Sequence, residues 1–152
     1  MQNTPIHITI VDDHPSLREG ICLILKNNEE FIIDFQANNG IELINYLETI
    51  SAFPDVIILD VSMPEMDGYE TIKEISNRWP NLKVLMFSMY EEPLMIEHMI
   101  AYGARGFLVK NTSPQLLIQA LIDIQTQGYF YSKYATYELF ERATKIDCKQ
   151  LI

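Results

Sequence analysis

Apolar and polar positions alternate along this chain with two different periods. Short runs of apolar, often β-branched residues recur at Ile8 to Val11, Phe31 to Ala37, Val56 to Leu59, Val84 to Phe87 and Gly106 to Val109, and each reads as a strand. Between them lie stretches whose apolar residues return every three or four positions, the spacing of a helix with one buried face. The first helix starts near Pro15, where a missing N–H costs nothing, carries Leu17, Ile21, Ile24 and Leu25 inward, and ends at Asn27 and Asn28. The second follows the Asn39-Gly40 turn with Ile41, Ile44, Leu47 and Ile50 inward, and Pro54 separates it from the central strand. The third follows Asp67-Gly68 with Ile72, Ile75 and Trp79 on one stripe and stops at Pro80. A shorter helix spans about Pro93 to Ala101, and a last one runs from about Pro114 to Gln127 before Gly128 breaks the pattern.

Five strand–helix pairs predict an α/β fold, a doubly wound five-stranded parallel sheet of flavodoxin-like order 2-1-3-4-5 with helices on both faces. In such sheets ligands sit beyond the carboxyl ends of the strands where the strand order reverses, here between strands one and three. The chain places its polar groups at those ends. Asp12 and Asp13 close strand one, Asp60 closes strand three, Ser88 closes strand four and Lys110 closes strand five.

Three carboxylates on one rim repel one another unless a cation lies between them, and an oxygen-only donor set fits Mg2+, which often joins one or two carboxylates to phosphate oxygens. Carboxylates are competent nucleophiles toward phosphorus, while Mg2+, Lys110 and the Ser88 hydroxyl would neutralise charge on a transferring phosphoryl group. Taken singly these residues have plainer readings. Asp12 and Asp13 stand where aspartate caps a helix, Ser88 suits a strand end, and Lys110 suits a solvated surface. Asp60 is harder to read that way, because an ionised aspartate that follows four buried-type residues needs a reason.

Composition narrows the function. Eleven basic against 21 acidic residues give a net charge of -10 over 152 residues, which repels a polyanion, so direct nucleic-acid binding by this segment is not expected. No apolar run approaches the ~20 residues of a membrane span and no signal-like segment opens the chain, so a soluble cytoplasmic protein is expected. Cys22 and Cys148 read as free thiols. The histidines do not read as catalytic: His14, in the loop after the acidic pair, reads as a surface or cap-adjacent residue, and His7 and His98 have no nearby acidic or cysteine cluster.

The ordered set of Asp12-Asp13, Asp60 with Met63-Pro64 and Asp67-Gly68, Ser88, and Lys110 within Gly103 to Lys110 resembles the receiver domain of two-component response regulators over about residues 6 to 128. His14-Pro15 and Arg18-Glu19-Gly20, with Gly103 to Phe107, resemble the NarL/FixJ type, whose members normally carry a helix-turn-helix domain after the receiver. The resemblance implies that Asp60 accepts a phosphoryl group from a sensor histidine kinase. It further implies that Asp13, Asp60 and the backbone carbonyl of Ser62 ligate Mg2+ with help from Asp12, and that Ser88 and Phe107 act as switch residues. After phosphorylation Ser88 would be drawn inward and Phe107 would rotate toward the core, changing an output face on helix four, strand five and helix five that includes Met89, Tyr90, Met95 and Met99. Dimerisation on phosphorylation is a further expectation. One departure is Asn111, where many receivers carry a cis proline.

The expected organisation is a receiver over residues 1–128 and a helical extension or linker over 129–152, with Phe130, Tyr134 and Tyr137 at helical spacing. That extension either docks back on the domain or leads to an effector domain absent from this sequence. The expected function is a phosphorylation-activated signalling switch, the receiver part of a transcriptional regulator, and not an enzyme beyond assisting its own phosphotransfer and dephosphorylation. The competing reading is a receiver-like interaction module that works without phosphorylation. A phosphatase of the dehalogenase type would need a second aspartate two residues after its nucleophile, and Ser62 stands there. Neither glycine-rich nucleotide-binding pattern follows strand one.

Overall fold

The computed structural model describes residues 4–145, in which a five-stranded parallel sheet of order β2-β1-β3-β4-β5 is flanked by helices. The elements are β1 (Ile6–Val11), α1 (Pro15–Lys26), β2 (Phe31–Ala37), α2 (Gly40–Thr49), β3 (Val56–Asp60), α3 (Gly68–Arg78), β4 (Lys83–Ser88), α4 (Pro93–Ala101), β5 (Gly106–Val109), α5 (Pro114–Gln127) and α6 (Tyr137–Ala143). The predicted strand order and helix count through α5 are both present. β3 lies at the centre and all five of its residues are buried, as a strand covered by helices on both faces requires.

Alternation of side chains along the strands divides the interior in two. Ile57 and Leu59 of β3, Val84 and Met86 of β4 and Phe107 of β5 face a core built with α2, α3, α4 and α6. Val56 and Ile58, with Ile8 and Ile10 of β1 and Leu85, Phe87 and Leu108, face the other core, formed with α1 and α5. This parity fixes which face each strand-end residue joins.

Local chemistry sets the helix starts. The side chains of Asn39, Asp67, Ser113 and Thr136 each accept a backbone N–H from the first turn of α2, α3, α5 and α6 respectively. α1 and α4 begin instead with proline and no side-chain cap bond. Gly128 ends α5 in the left-handed conformation.

One expected inward position, Ile41, lies elsewhere, and two others, Ile50 and Trp79, pack against the core from just beyond their helices. Ile41 is exposed because Leu43, not Ile41, shares the buried stripe of α2 with Ile44 and Leu47; Ile50 falls just past the end of that helix. Trp79 likewise follows the last turn of α3 and is half-buried. On α4, Met99 is core and Met95 half-buried, leaving Met89 and Tyr90 as the exposed members of the expected output cluster. The chain after Gly128 docks back on the domain: Phe130, Ala135, Phe140 and Ala143 are buried, and Arg142 pairs with Glu97 of α4. Cys22 is a buried free thiol, while Cys148 lies outside the described residues.

Candidate functional site

Parallel register brings the strand ends level. Val11 pairs with Leu59, Asp60 with Phe87, and Phe87 with Leu108, so Asp12, Asp60 and Lys110 lie along one rim. All three continue the α1/α5 face, two residues beyond Ile10, Ile58 and Leu108 respectively. They therefore meet. The Lys110 Nζ lies 2.8 Å from Asp12 Oδ2 and 2.9 Å from Asp60 Oδ1, with the three side chains 5%, 2% and 4% exposed.

This is a buried triad with one more negative than positive group. Burial raises the Asp60 pKa above the ordinary carboxyl value, and the neighbouring Asp12 adds to that, while Lys110 and the Ser62 N–H oppose it. Burial alone would lower the Lys110 pKa, but its bonds to Asp12 and Asp60 outweigh that and hold the ammonium above its ordinary value. The second oxygen of Asp60, Oδ2, is buried and has no hydrogen-bond partner among the described residues. A buried carboxylate oxygen without a donor is where a cation or an incoming electrophile is expected.

Asp13 is half-buried beside this triad, and Asp12, Asp13, His14 and Asp60 offer ligand atoms that all lie within 4.8 Å of one another. The three carboxylates are a hard-oxygen set suited to a divalent cation. The sequence set His14 aside because nothing in the spacing tells which way its ring points. The structure turns Nδ1 to 3.1 Å from both Asp12 Oδ1 and Asp13 Oδ1. Arg18, one turn into α1, donates to the Asp12 backbone carbonyl and anchors the same corner.

The loop after Asp60 is shaped by its glycine. Gly68 N donates to Val61 O at 2.8 Å, and a Cβ at Gly68 would stand 2.5 Å from the Asp60 carbonyl oxygen. Only glycine lets α3 start this close to the rim. Ser62 is exposed on the loop, and its N–H lies 3.4 Å from Asp60 Oδ1. Glu65 takes a left-handed conformation, φ 67°, at the turn where Met66 N bonds Pro64 O.

Ser88 and Phe107 fall on the other face of the sheet, the one that carries α4. The Ser88 hydroxyl is buried and accepts the Tyr90 N–H at 3.0 Å, tying down the start of the β4–α4 loop. Phe107 is only 1% exposed and meets Tyr134 edge-on at 6.2 Å between ring centres. The inward position that the sequence reading expected Phe107 to reach by rotation is already filled. The Lys110–Asn111 peptide is trans, as are all described peptides.

The model of the response regulator receiver domain family matches residues 8–122. The chain belongs to the response regulator receiver family. Among curated relatives, this receiver is 30% identical over 141 residues to the transcriptional regulatory protein DegU of Brevibacillus brevis, covering 93% of this chain and 59% of that protein. It is 36% identical over 114 residues to the transcriptional regulatory protein YdfI of Bacillus subtilis, covering 75% and 52% respectively. The receiver thus spans between about half and three fifths of the length of those relatives. Among solved structures, it superposes on the RcsB response regulator of Salmonella typhimurium with a TM-score of 0.76 at 28% identity, covering 92% of this chain and 68% of that one. The signal receiver domain of NarL from Mycobacterium tuberculosis gives a TM-score of 0.71 at 29% identity, covering 80% and 96%.

Receivers of this family are two-component signalling switches that hold Mg2+ in an acidic pocket, and the acidic cluster is present here. The relatives are transcriptional regulators, and a receiver is not a classical enzyme. No helix among the described residues is long and apolar enough to cross a membrane.

Proposed function

We propose that this receiver is switched by transfer of a phosphoryl group to Asp60 from a phosphohistidine of a sensor kinase, in the cytoplasm, as the input part of a transcriptional regulator. The observation that carries this reading is the buried Asp60 carboxylate, clustered with Asp12 and Asp13, with one oxygen held by Lys110 and the other without a hydrogen-bond partner among the described residues. In the transfer the Asp60 carboxylate forms the new P–O bond and the donor's P–N bond breaks. Its electron pair stays with the departing imidazole nitrogen, which takes a proton from solvent.

Asp12, Asp13, Asp60 and the Ser62 carbonyl would hold Mg2+, and the bound ion would supply charge neutralisation on the phosphoryl oxygens. Lys110 stays beside Asp60 after the transfer and offers the new group an ammonium from the opposite side. The Ser88 hydroxyl, freed from Tyr90, would turn to the phosphoryl oxygens and carry the β4–α4 loop with it. Loss of the phosphoryl group by attack of water would return the switch, so the domain assists its own phosphorylation and dephosphorylation without turning over external substrates.

Ser88 and Phe107 share the α4 face, so the loop's movement is felt where Phe107 meets Tyr134 and where α6 lies on α4. With Phe107 already inward, the response is a shift of the β4–α4 loop and the docked 129–145 segment rather than a large ring rotation. Residues 1–128 form the receiver unit and residues 129–152 its extension toward an effector domain, with homodimerisation on phosphorylation as the output.

The test is the intact mass of the chain after Mg2+ and acetyl phosphate, beside Asp60→Asn. One added phosphoryl group in the wild type and none in the variant is expected. No addition to the wild type, with beryllofluoride also failing to bind, would overturn the reading in favour of an interaction module that works without phosphorylation.

A further inference from the structure

His14 stands at the first position before α1 yet makes no side-chain cap bond; its ring instead faces the acidic pair. Nδ1 is 3.1 Å from one oxygen of Asp12 and 3.1 Å from one oxygen of Asp13. Neighbouring corners of an octahedron with bonds of about 2.1 Å are about 3 Å apart, so Nδ1 already stands at the spacing of an adjacent ligand from each of the two carboxylate oxygens. A second observation points the same way: Asp60, whose side chain is 4% exposed and whose Oδ2 has no hydrogen-bond partner among the described residues, belongs to the same cluster.

We infer that His14 is a nitrogen ligand of the divalent-cation site and makes it favour borderline cations such as Co2+ over Mg2+. The inference rests on the cation site proposed above and adds a ligand to it. Facing two carboxylates alone, Nδ1 carries the ring proton and donates it; as a ligand it offers its lone pair and the proton resides on Nε2 of this 65% exposed ring. Imidazole binds late first-row divalent ions better than it binds Mg2+, which prefers oxygen and keeps its waters. A receiver site with three carboxylates and one imidazole therefore ranks cations differently from an all-oxygen one.

The experiment compares Mg2+ and Co2+ binding by calorimetry on the untagged chain at one fixed pH, for wild type, His14→Ala and Asp13→Ala, with the Co2+ visible spectrum as a second readout. Loss of a group that merely orients a ligand already weakens metal binding about 10–100-fold, so His14→Ala should weaken Co2+ by at least about tenfold. Mg2+ should weaken several-fold less, which reports an intact fold and site. The Co2+ absorption should move to longer wavelength in His14→Ala, since a stronger-field nitrogen is lost. Equal loss of both ions, or loss of neither, overturns the role of His14 while leaving the cation site standing. Absence of both ions from the wild type overturns the site itself and the inference with it. A Co2+ signal unchanged in both His14→Ala and Asp13→Ala comes from elsewhere on the chain and also overturns the assignment.

Discussion

Replacing Lys110 with methionine keeps most of the side-chain volume and removes the charge that two buried carboxylates share. The ammonium lies 2.8 Å from Asp12 and 2.9 Å from Asp60, and all three side chains are at most 5% exposed, so solvent cannot take its place. Removing one partner of such a buried set typically costs about 3–5 kcal/mol, because the groups left behind remain desolvated and unpaired. Against a total stability of about 5–15 kcal/mol this is a large fraction, and at roughly 2–4 °C per kcal/mol it lowers the melting temperature by about 10 °C. Urea unfolding of wild type and Lys110→Met, in chelator and at neutral pH, measures it.

The sign of the pH dependence gives a second check. Burial already holds the Asp60 carboxyl above its ordinary value, and Lys110 is the main influence pulling it back. In the variant that pull is gone. A carboxyl whose folded pKa stands above its unfolded one penalises the fold while ionised and relieves it on protonation. The deficit should be full while Asp60 is ionised and shrink as acidification brings pH down through its raised pKa. Adding Asp60→Asn to the variant should recover part of the loss, because one of the stranded charges is then absent. A loss under about 1 kcal/mol, the range of exposed pairs, or a deficit that stays constant on acidification, would refute the account of Lys110 as a buried counter-charge.

Three further outcomes are expected. Gly68→Ala would set a methyl group 2.5 Å from the Asp60 carbonyl and 2.8 Å from Val61 Cα, both unyielding backbone; a loss of about 1–3 kcal/mol and slower acetyl-phosphate labelling should follow, and wild-type labelling would argue against the tight approach. Ser88→Ala should leave Mg2+ affinity unchanged and abolish the beryllofluoride-induced change in amide exchange on α4, with an unaltered change counting against the hydroxyl as the link. Phe140→Ala, which empties the buried seat of α6 on the α4 face, should cost about 3 kcal/mol in urea unfolding without reducing phosphoryl incorporation, since the seat lies away from the rim. A cost below 1 kcal/mol would show that the segment does not dock in solution.

Much of this was legible in the order of residues. Strand positions could be read because buried parallel strands leave continuous apolar runs, and Val56 to Asp60 was located to the residue. Proline and glycine punctuation located the starts of α1, α4 and α5 for an equally local reason. The five polar residues at the strand ends stood out because a charge at the end of an apolar run has no local explanation, and the family resemblance then gave them roles.

Direction and docking were not legible. Which residues join a helix stripe depends on how the helix is rotated against the sheet, so the spacing puts Ile41 inward where packing buries Leu43. That Asp12, Asp60 and Lys110 share one face while Ser88 and Phe107 share the other follows from register between strands distant in sequence. The ring of His14 turns to the acidic pair through contacts that no spacing encodes. The seat of α6 on α4 is also a tertiary choice, since an apolar stripe shows that a helix must be covered but not by what. The elements, their order and the chemical types on the rim were written in the order of residues, because these depend on local periodicity and backbone restrictions. Tertiary structure decided which of those groups touch, how deeply they are buried and hence how they are charged, because contact and desolvation arise only when separate strands are brought into register.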